Sequence, residues 1–167
     1  ERVPYWLDGF IPLAALLGDE EMMARARRYV DEILARQQED GWLCPCEDDQ
    51  RRHYDMWALF LILKVLVIWQ EATGDGRVEG AVRRALKNLD RHIDSWTLFH
   101  WAQTRWFEGL VSIFWLYDRT GEQWLLDLAV KLRAQGFDWV AFFEDWPMEL
   151  PLERGRWSQM SHVVNNG

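Results

Sequence analysis

A chain of 167 residues, 49% of them hydrophobic and 28% charged, holds enough apolar material for one buried core and enough charge to wet its surface. Its net charge of −8 argues against a phosphate-backbone partner, since nucleic-acid binding normally shows a concentrated basic face, and no nucleic acid is expected. The longest apolar run, Met56 to Trp69, contains Lys64 and falls short of the roughly 20 residues that cross a bilayer, so no membrane partner is expected either.

The first element is an apolar helix over Leu7 to Leu17, closed by Gly18-Asp19. An amphipathic helix follows, with Met23, Ala26, Val30, Ile33 and Leu34 on one face, and then a polar loop, 39–53, that carries Trp42. The second apolar helix, Met56 to Trp69, ends at Gly74-Asp75. Its amphipathic partner places Val78, Val82, Ala85, Leu86, Leu89 and Ile93 inward and Arg83, Arg84, Lys87, Asp90, Arg91 and Asp94 towards water. After the 95–104 loop with Trp96, a third apolar helix spans Trp106 to Tyr117 and ends at Gly121-Glu122. Leu125, Leu128, Ala129 and Leu132 form the third one-sided face, which is followed by Trp139 and a long connection over 140–160. A new helix then opens near Ser161-His162.

Each Gly-acid pair reads as a tight helix-helix turn: the glycine takes the left-handed conformation, and the acid accepts from, or balances the dipole of, the next helix. The turns recur roughly fifty residues apart, which is the period of paired-helix repeats. A helix that is apolar on all sides must be enclosed by protein, so the apolar helices form an inner ring and the one-sided helices an outer one. The fold class expected is therefore all-α: hairpins at about 5–38, 53–94 and 105–138, forming about half of an (α/α)6 toroid within 1–167. The chain opens on Glu1-Arg2-Val3-Pro4 without Met and stops soon after a helix begins, which reads as a piece of a longer protein. Half a toroid has an open apolar seam, so self-association, or pairing with the missing C-terminal half, is expected. No targeting segment is visible, and the compartment is left open with a lean towards the cytoplasm.

Cys44 and Cys46 flank Pro45 and are too close to staple distant segments, so they read as reduced loop thiols. A zinc site would recruit Asp48, Asp49 and His53, but no second cysteine pair completes a tetrahedral structural set, and no metal is assigned.

The glycine turns lie on one rim, which leaves the long loops and the starts of the inner helices on the other. Gathered there are Trp6 and Asp8, then His53, Tyr54, Asp55 and Trp57, then Arg105, Trp106 and Glu108, then His162. Aromatic faces that stack on C–H-rich sugar faces, with carboxylates that fix hydroxyls or move protons, are the mixture carbohydrate sites use. Plainer roles compete. Asp55 and Asp8 serve equally as dipole-satisfying residues. Glu108 is either a structural ion-pair partner of Arg105 or a pocket acid, and His162 is either a rim residue or a ligand contact. The loop residues Trp42, Trp96, Trp101, Trp139, Trp146 and Trp157 act as rim packing or as ligand platforms. Lys64, alone among apolar neighbours, must snorkel or find an acid.

Several stretches taken in order carry a resemblance: Val3-Pro4-Tyr5-Trp6-Leu7-Asp8-Gly9-Phe10, Gln37-Gln38-Glu39-Asp40-Gly41-Trp42, Tyr54-Asp55-Met56-Trp57, Glu71-Ala72-Thr73-Gly74-Asp75, Trp115-Leu116-Tyr117-Asp118-Arg119-Thr120-Gly121 and Ser161-His162-Val163-Val164-Asn165. With them the chain resembles the bacterial glycoside hydrolase family 127, the β-L-arabinofuranosidase-like proteins. The resemblance implies an (α/α)6 toroid followed by β-sandwich domains, and hydrolysis of terminal arabinofuranosyl or related sugars with retention. It also implies a zinc-bound cysteine nucleophile and a glutamate acid/base, both beyond Gly167, so that zinc belongs to the full-length parent and Cys44 and Cys46 do not inherit the role. By the same resemblance Asp8 and His162 contact the sugar. Many relatives have a His at the start of the second inner helix, where this chain reads Tyr54-Asp55-Met56-Trp57; either His53 substitutes or the sugar differs.

The leading expectation is thus a fragment of a glycoside hydrolase that supplies part of a sugar pocket without the nucleophile, and that is inactive alone. The alternative is a helical-repeat binding or scaffold domain without catalysis. A third possibility makes Asp55 and Glu108 a carboxylate pair, which would stand roughly 5–9.5 Å apart.

Overall fold

The computed structural model of the chain describes residues 2–144, all of whose regular elements are helical. Eight α-helices follow in order: α1 (Arg2–Leu17), α2 (Glu20–Ala35), α3 (Trp57–Thr73), α4 (Arg77–Ser95), α5 (His100–Thr104), α6 (Gly109–Thr120), α7 (Gln123–Gln135) and α8 (Trp139–Glu144). Short 3₁₀ turns at Asp48–His53 and Trp106–Glu108 precede α3 and α6. No described helix is long and apolar enough to cross a membrane.

The three turns form as the Gly-acid pairs dictate. Gly18, Gly74 and Gly121 have φ of 63°, 69° and 66°, the left-handed region that a side chain disfavours. Asp19 then caps α2 by accepting from the Met22 N–H at 2.9 Å, and Asp75 accepts from the Arg77 N–H at 3.2 Å. Glu122 departs from the pattern: its carboxylate takes the Arg83 guanidinium of α4 and makes no cap hydrogen bond.

The helices pair as α1 with α2, α3 with α4, and α6 with α7, and α3 lies between α1 and α6. This gives an inner layer of α1, α3 and α6 against an outer layer of α2, α4 and α7. The centre of the core is α3, where residues such as Phe60, Leu63, Leu66 and Trp69 are at most 1% exposed. Burying each such side chain is worth roughly 1.5–3 kcal/mol. The outer helices join one another through polar contacts: Arg77 to Asp31, Gln37 to the Ala81 carbonyl, and Lys131 to Asp90 and Asp94.

Enclosure of all three apolar helices, the sequence expectation, holds for α3 alone. Leu13, Leu16 and Leu17 of α1 are 49%, 86% and 64% exposed, and Val111 and Phe114 of α6 are 45% and 43% exposed. The reason is position: α1 and α6 are the end members of the layer, each with an inner neighbour on one side only. The helix bounds also shift. α1 begins at Arg2, which places Asp8 two turns inside it rather than at its start, and the third apolar helix opens as a 3₁₀ turn, so α6 begins at Gly109.

The 39–53 loop is bound to α4 rather than loose. Gly41 has φ +98° and lies so near the Arg84 carbonyl that a Cβ there would meet it at 2.2 Å. Asn88 and Arg91 both donate to the Asp40 carbonyl, at 3.1 and 3.0 Å. Trp42 is buried and donates its indole N–H to the Cys44 carbonyl, so this loop tryptophan is packing.

Candidate functional site

The site begins with a carboxylate at the start of α3. Asp55 Oδ1 accepts from the Trp57 and Ala102 backbone N–H groups at 3.0 and 2.9 Å, and Oδ2 accepts from Trp101 N–H at 3.0 Å. A helix as short as α5 leaves its first N–H groups without internal acceptors, and Asp55 supplies them. One side chain thereby fastens α5 to α3 and fixes Trp101 beside Trp57, their rings 5.8 Å apart.

Arg105 follows α5 and is only 3% exposed. Its guanidinium carbon lies 4.6 Å from the Trp57 ring and 4.5 Å from the Trp101 ring, a double cation–π contact. Because the two indoles are themselves 5.8 Å apart, they cover adjoining sides of the guanidinium rather than opposite ones. Arg105 Nη1 donates to the Tyr5 hydroxyl at 3.0 Å, while Nε is buried without a hydrogen-bond partner. Glu108 is half-buried, and its Oε2 accepts from the Trp57 indole at 2.7 Å. Among the described residues no carboxylate pairs with Arg105, Glu108 included. In place of an ion pair there are two separate contacts to one tryptophan: its ring with the cation, its N–H with the acid.

The cluster therefore unites Asp55, Trp57, Arg105 and Glu108 and adds Tyr5 and Trp101. Its signals in the sequence were a tyrosine in the first turn of the first helix and a tryptophan four residues before Arg105. Other candidates lie elsewhere. Trp6 stacks on Phe10 at 4.2 Å and meets Tyr29 and Arg25 of α2, on the outer side of α1. Asp8 pairs with Lys64 at 2.9 Å, which gives Lys64 the acid it required. His53 is exposed at the end of its 3₁₀ turn. Tyr54 packs edge-on to Trp42 and lines an apolar groove with Pro4, Leu43 and Ile62. Trp106 donates to the Phe137 carbonyl and packs on Gly136. His162, with Trp146 and Trp157, lies outside the described residues.

Along α3 three polar contacts to other elements fall on one stripe. Trp57, Lys64 and Glu71 are seven residues apart and share a face. Trp57 reaches Glu108, Lys64 reaches Asp8, and Glu71 accepts from Trp115 and Arg119 at 2.7 and 2.5 Å. Those donors hold the Glu71 carboxyl below its usual range, the Trp115 hydrogen bond most of all.

A second cleft of about 620 Å3 lies on the outer side, between the 39–53 loop and α4, where Trp42, His92 and Trp96 follow one another at 5.4 and 5.2 Å. Within it Arg51 pairs with both Asp40 and Asp48. Burial, and then the charge of Arg51, lower the His92 pKa, favouring the neutral imidazole. Burial pushes the Cys44 thiol far above its ordinary range, and among the described residues no three His, Cys, Asp or Glu side chains converge on a metal position.

Comparison of the chain with protein-family models, with curated proteins and with solved structures found no match. The site offers a fixed buried cation, a half-buried carboxylate whose other oxygen has no donor among the described residues, and indoles that position both.

Proposed function

We propose that the chain is part of an (α/α) toroid of a glycoside hydrolase and contributes one wall of a sugar pocket. The observation that carries this reading is Glu108 held by Trp57 next to Arg105 and Trp101, at the rim where the long loops meet the inner layer. A carboxylate fixed at one oxygen can accept a hydrogen bond from a sugar hydroxyl at the other, and an adjacent indole offers a stacking face. The ordered motifs that resemble the β-L-arabinofuranosidase-like family support a terminal arabinofuranosyl-like or related sugar. In this reading the nucleophile, the acid/base and any zinc lie outside this chain. Asp55, with both oxygens engaged by backbone N–H groups, acts as a scaffold for the pocket rather than as one of a carboxylate pair.

The test is calorimetric titration with a panel of pentoses and hexoses, on the wild type and on Glu108→Gln and Trp101→Ala. Sugar binding that weakens at least tenfold in both variants is the expected result. Absence of any sugar binding, with affinity for extended polypeptides instead, would favour the helical-repeat scaffold. The exposed Leu13, Leu16, Val111 and Phe114 also suit that second reading, since such apolar edges seek a partner surface.

A further inference from the structure

Arg105 presents a problem that the sugar pocket alone does not solve. A guanidinium stays charged at every pH a protein survives, so burial cannot be relieved by losing a proton. Buried arginines are normally satisfied by a carboxylate or phosphate that accepts two parallel hydrogen bonds. Arg105 is 3% exposed, yet among the described residues its polar contacts reduce to one Tyr5 hydroxyl at 3.0 Å and two indole rings, with Nε left buried and unbonded. The nearest acid in sequence, Glu108, is directed to Trp57 instead. The site thus holds a donor-rich cation, fixed by three aromatic side chains, whose anion is missing from the described residues. Tyr5, whose hydroxyl is the one acceptor, is 44% exposed, so the cluster reaches the surface at its side.

We propose that Arg105 is the receptor for a carboxylate on the ligand, so that the sugar bound here is an acidic one, a uronate rather than a neutral pentose or hexose. This deepens, and rests on, the carbohydrate reading of the same site, and takes its related-sugar branch in place of the arabinofuranosyl one. The uronate carboxylate meets the guanidinium edge, a ring face lies against Trp101, and Glu108 accepts from a hydroxyl. Tyr5 is a positioning residue that orients the guanidinium.

The experiment titrates the chain with galacturonate and glucuronate against galactose and glucose, which differ only in the charged group at C6, and with succinate as a carboxylate that is not a sugar. Binding is read by calorimetry and by tryptophan fluorescence. The expected result is a preference for the uronates of about tenfold or more, lost in Arg105→Lys, which keeps the charge but not the planar fork, and reduced in Tyr5→Phe. Should Arg105→Lys fail to fold, the wild-type preference and the Tyr5→Phe titration decide the matter. Equal or tighter binding of the neutral hexoses overturns the carboxylate inference and leaves the carbohydrate reading standing. Succinate bound with no sugar bound keeps the carboxylate receptor and removes the sugar; no binding by any of the five removes both.

Discussion

Asp19 and Asp55 are both carboxylates at helix starts that accept backbone N–H hydrogen bonds, and they differ in where the donors come from. Asp19 takes the N–H of Met22, three residues on. Asp55 takes Trp57 two residues on, and also Trp101 and Ala102, which are 46 and 47 residues away. Losing the first frays one end of α2. Losing the second releases α5 and, with it, the indole against which Arg105 rests. Asp19 is thus completed by its own helix, whereas Asp55 is completed only once distant segments have met.

The largest effect is expected of Asp55→Ala, which leaves three N–H groups without their acceptor and should cost about 4 kcal/mol in urea unfolding. Asp55→Asn, which still offers one oxygen, should recover about half of that. A loss no larger than that of Asp19→Ala would show the two rims to be equivalent. Next is Gly41→Ala on the loop rim, where the added Cβ meets the Arg84 carbonyl and the positive φ is disfavoured. About 3 kcal/mol of destabilisation is expected, read as a fall in Tm, and the 39–53 loop should gain amide exchange.

On the turn rim Asp75 sharpens the contrast through pH. Its carboxylate accepts from the Arg77 guanidinium, the largest effect, and from the Trp69 indole and the Arg77 N–H, and these hold its pKa far below the ordinary value despite partial burial. A lowered folded-state pKa means that its contribution is complete above the unfolded value near 4 and is lost as pH falls towards the folded one. Asp75→Asn should therefore cost about 1–2 kcal/mol at pH 7 and flatten the acid limb of the stability profile below pH 4. A profile as steep as the wild type would place the acid sensitivity elsewhere. The smallest effect is Asp19→Ala, about 1 kcal/mol by chemical unfolding, with no change in any ligand titration.

What the sequence made legible follows the same division. Gly18, Gly74 and Gly121 could be read as left-handed stops because the glycine and the helix it ends are neighbours in the chain. Lys64 could be read as needing an acid because a lone cation on an apolar helix has few choices; that the acid is Asp8 required knowing that α1 and α3 pack together. Arg105 and Glu108, three residues apart, had the spacing of a helical ion pair, but Arg105 lies at φ −118°, ψ 31°, outside any helix, and the Trp106–Glu108 turn is 3₁₀. The break turns the guanidinium towards the two indoles, while Glu108 finds Trp57, 51 residues back. The exposed edges of α1 and α6 are not legible in the sequence, because an apolar composition does not say how many neighbours a helix has.

The shared stripe on α3 makes that helix intolerant of changes in length. Each residue added or removed rotates everything beyond it by about 100° about the axis. A single deletion between Trp57 and Lys64 would swing Lys64 off Asp8 and Glu71 off Trp115 and Arg119 together, while every individual side chain remained present. Point substitutions along α3 subtract latches one at a time; a frame slip of one residue would undo them as a set.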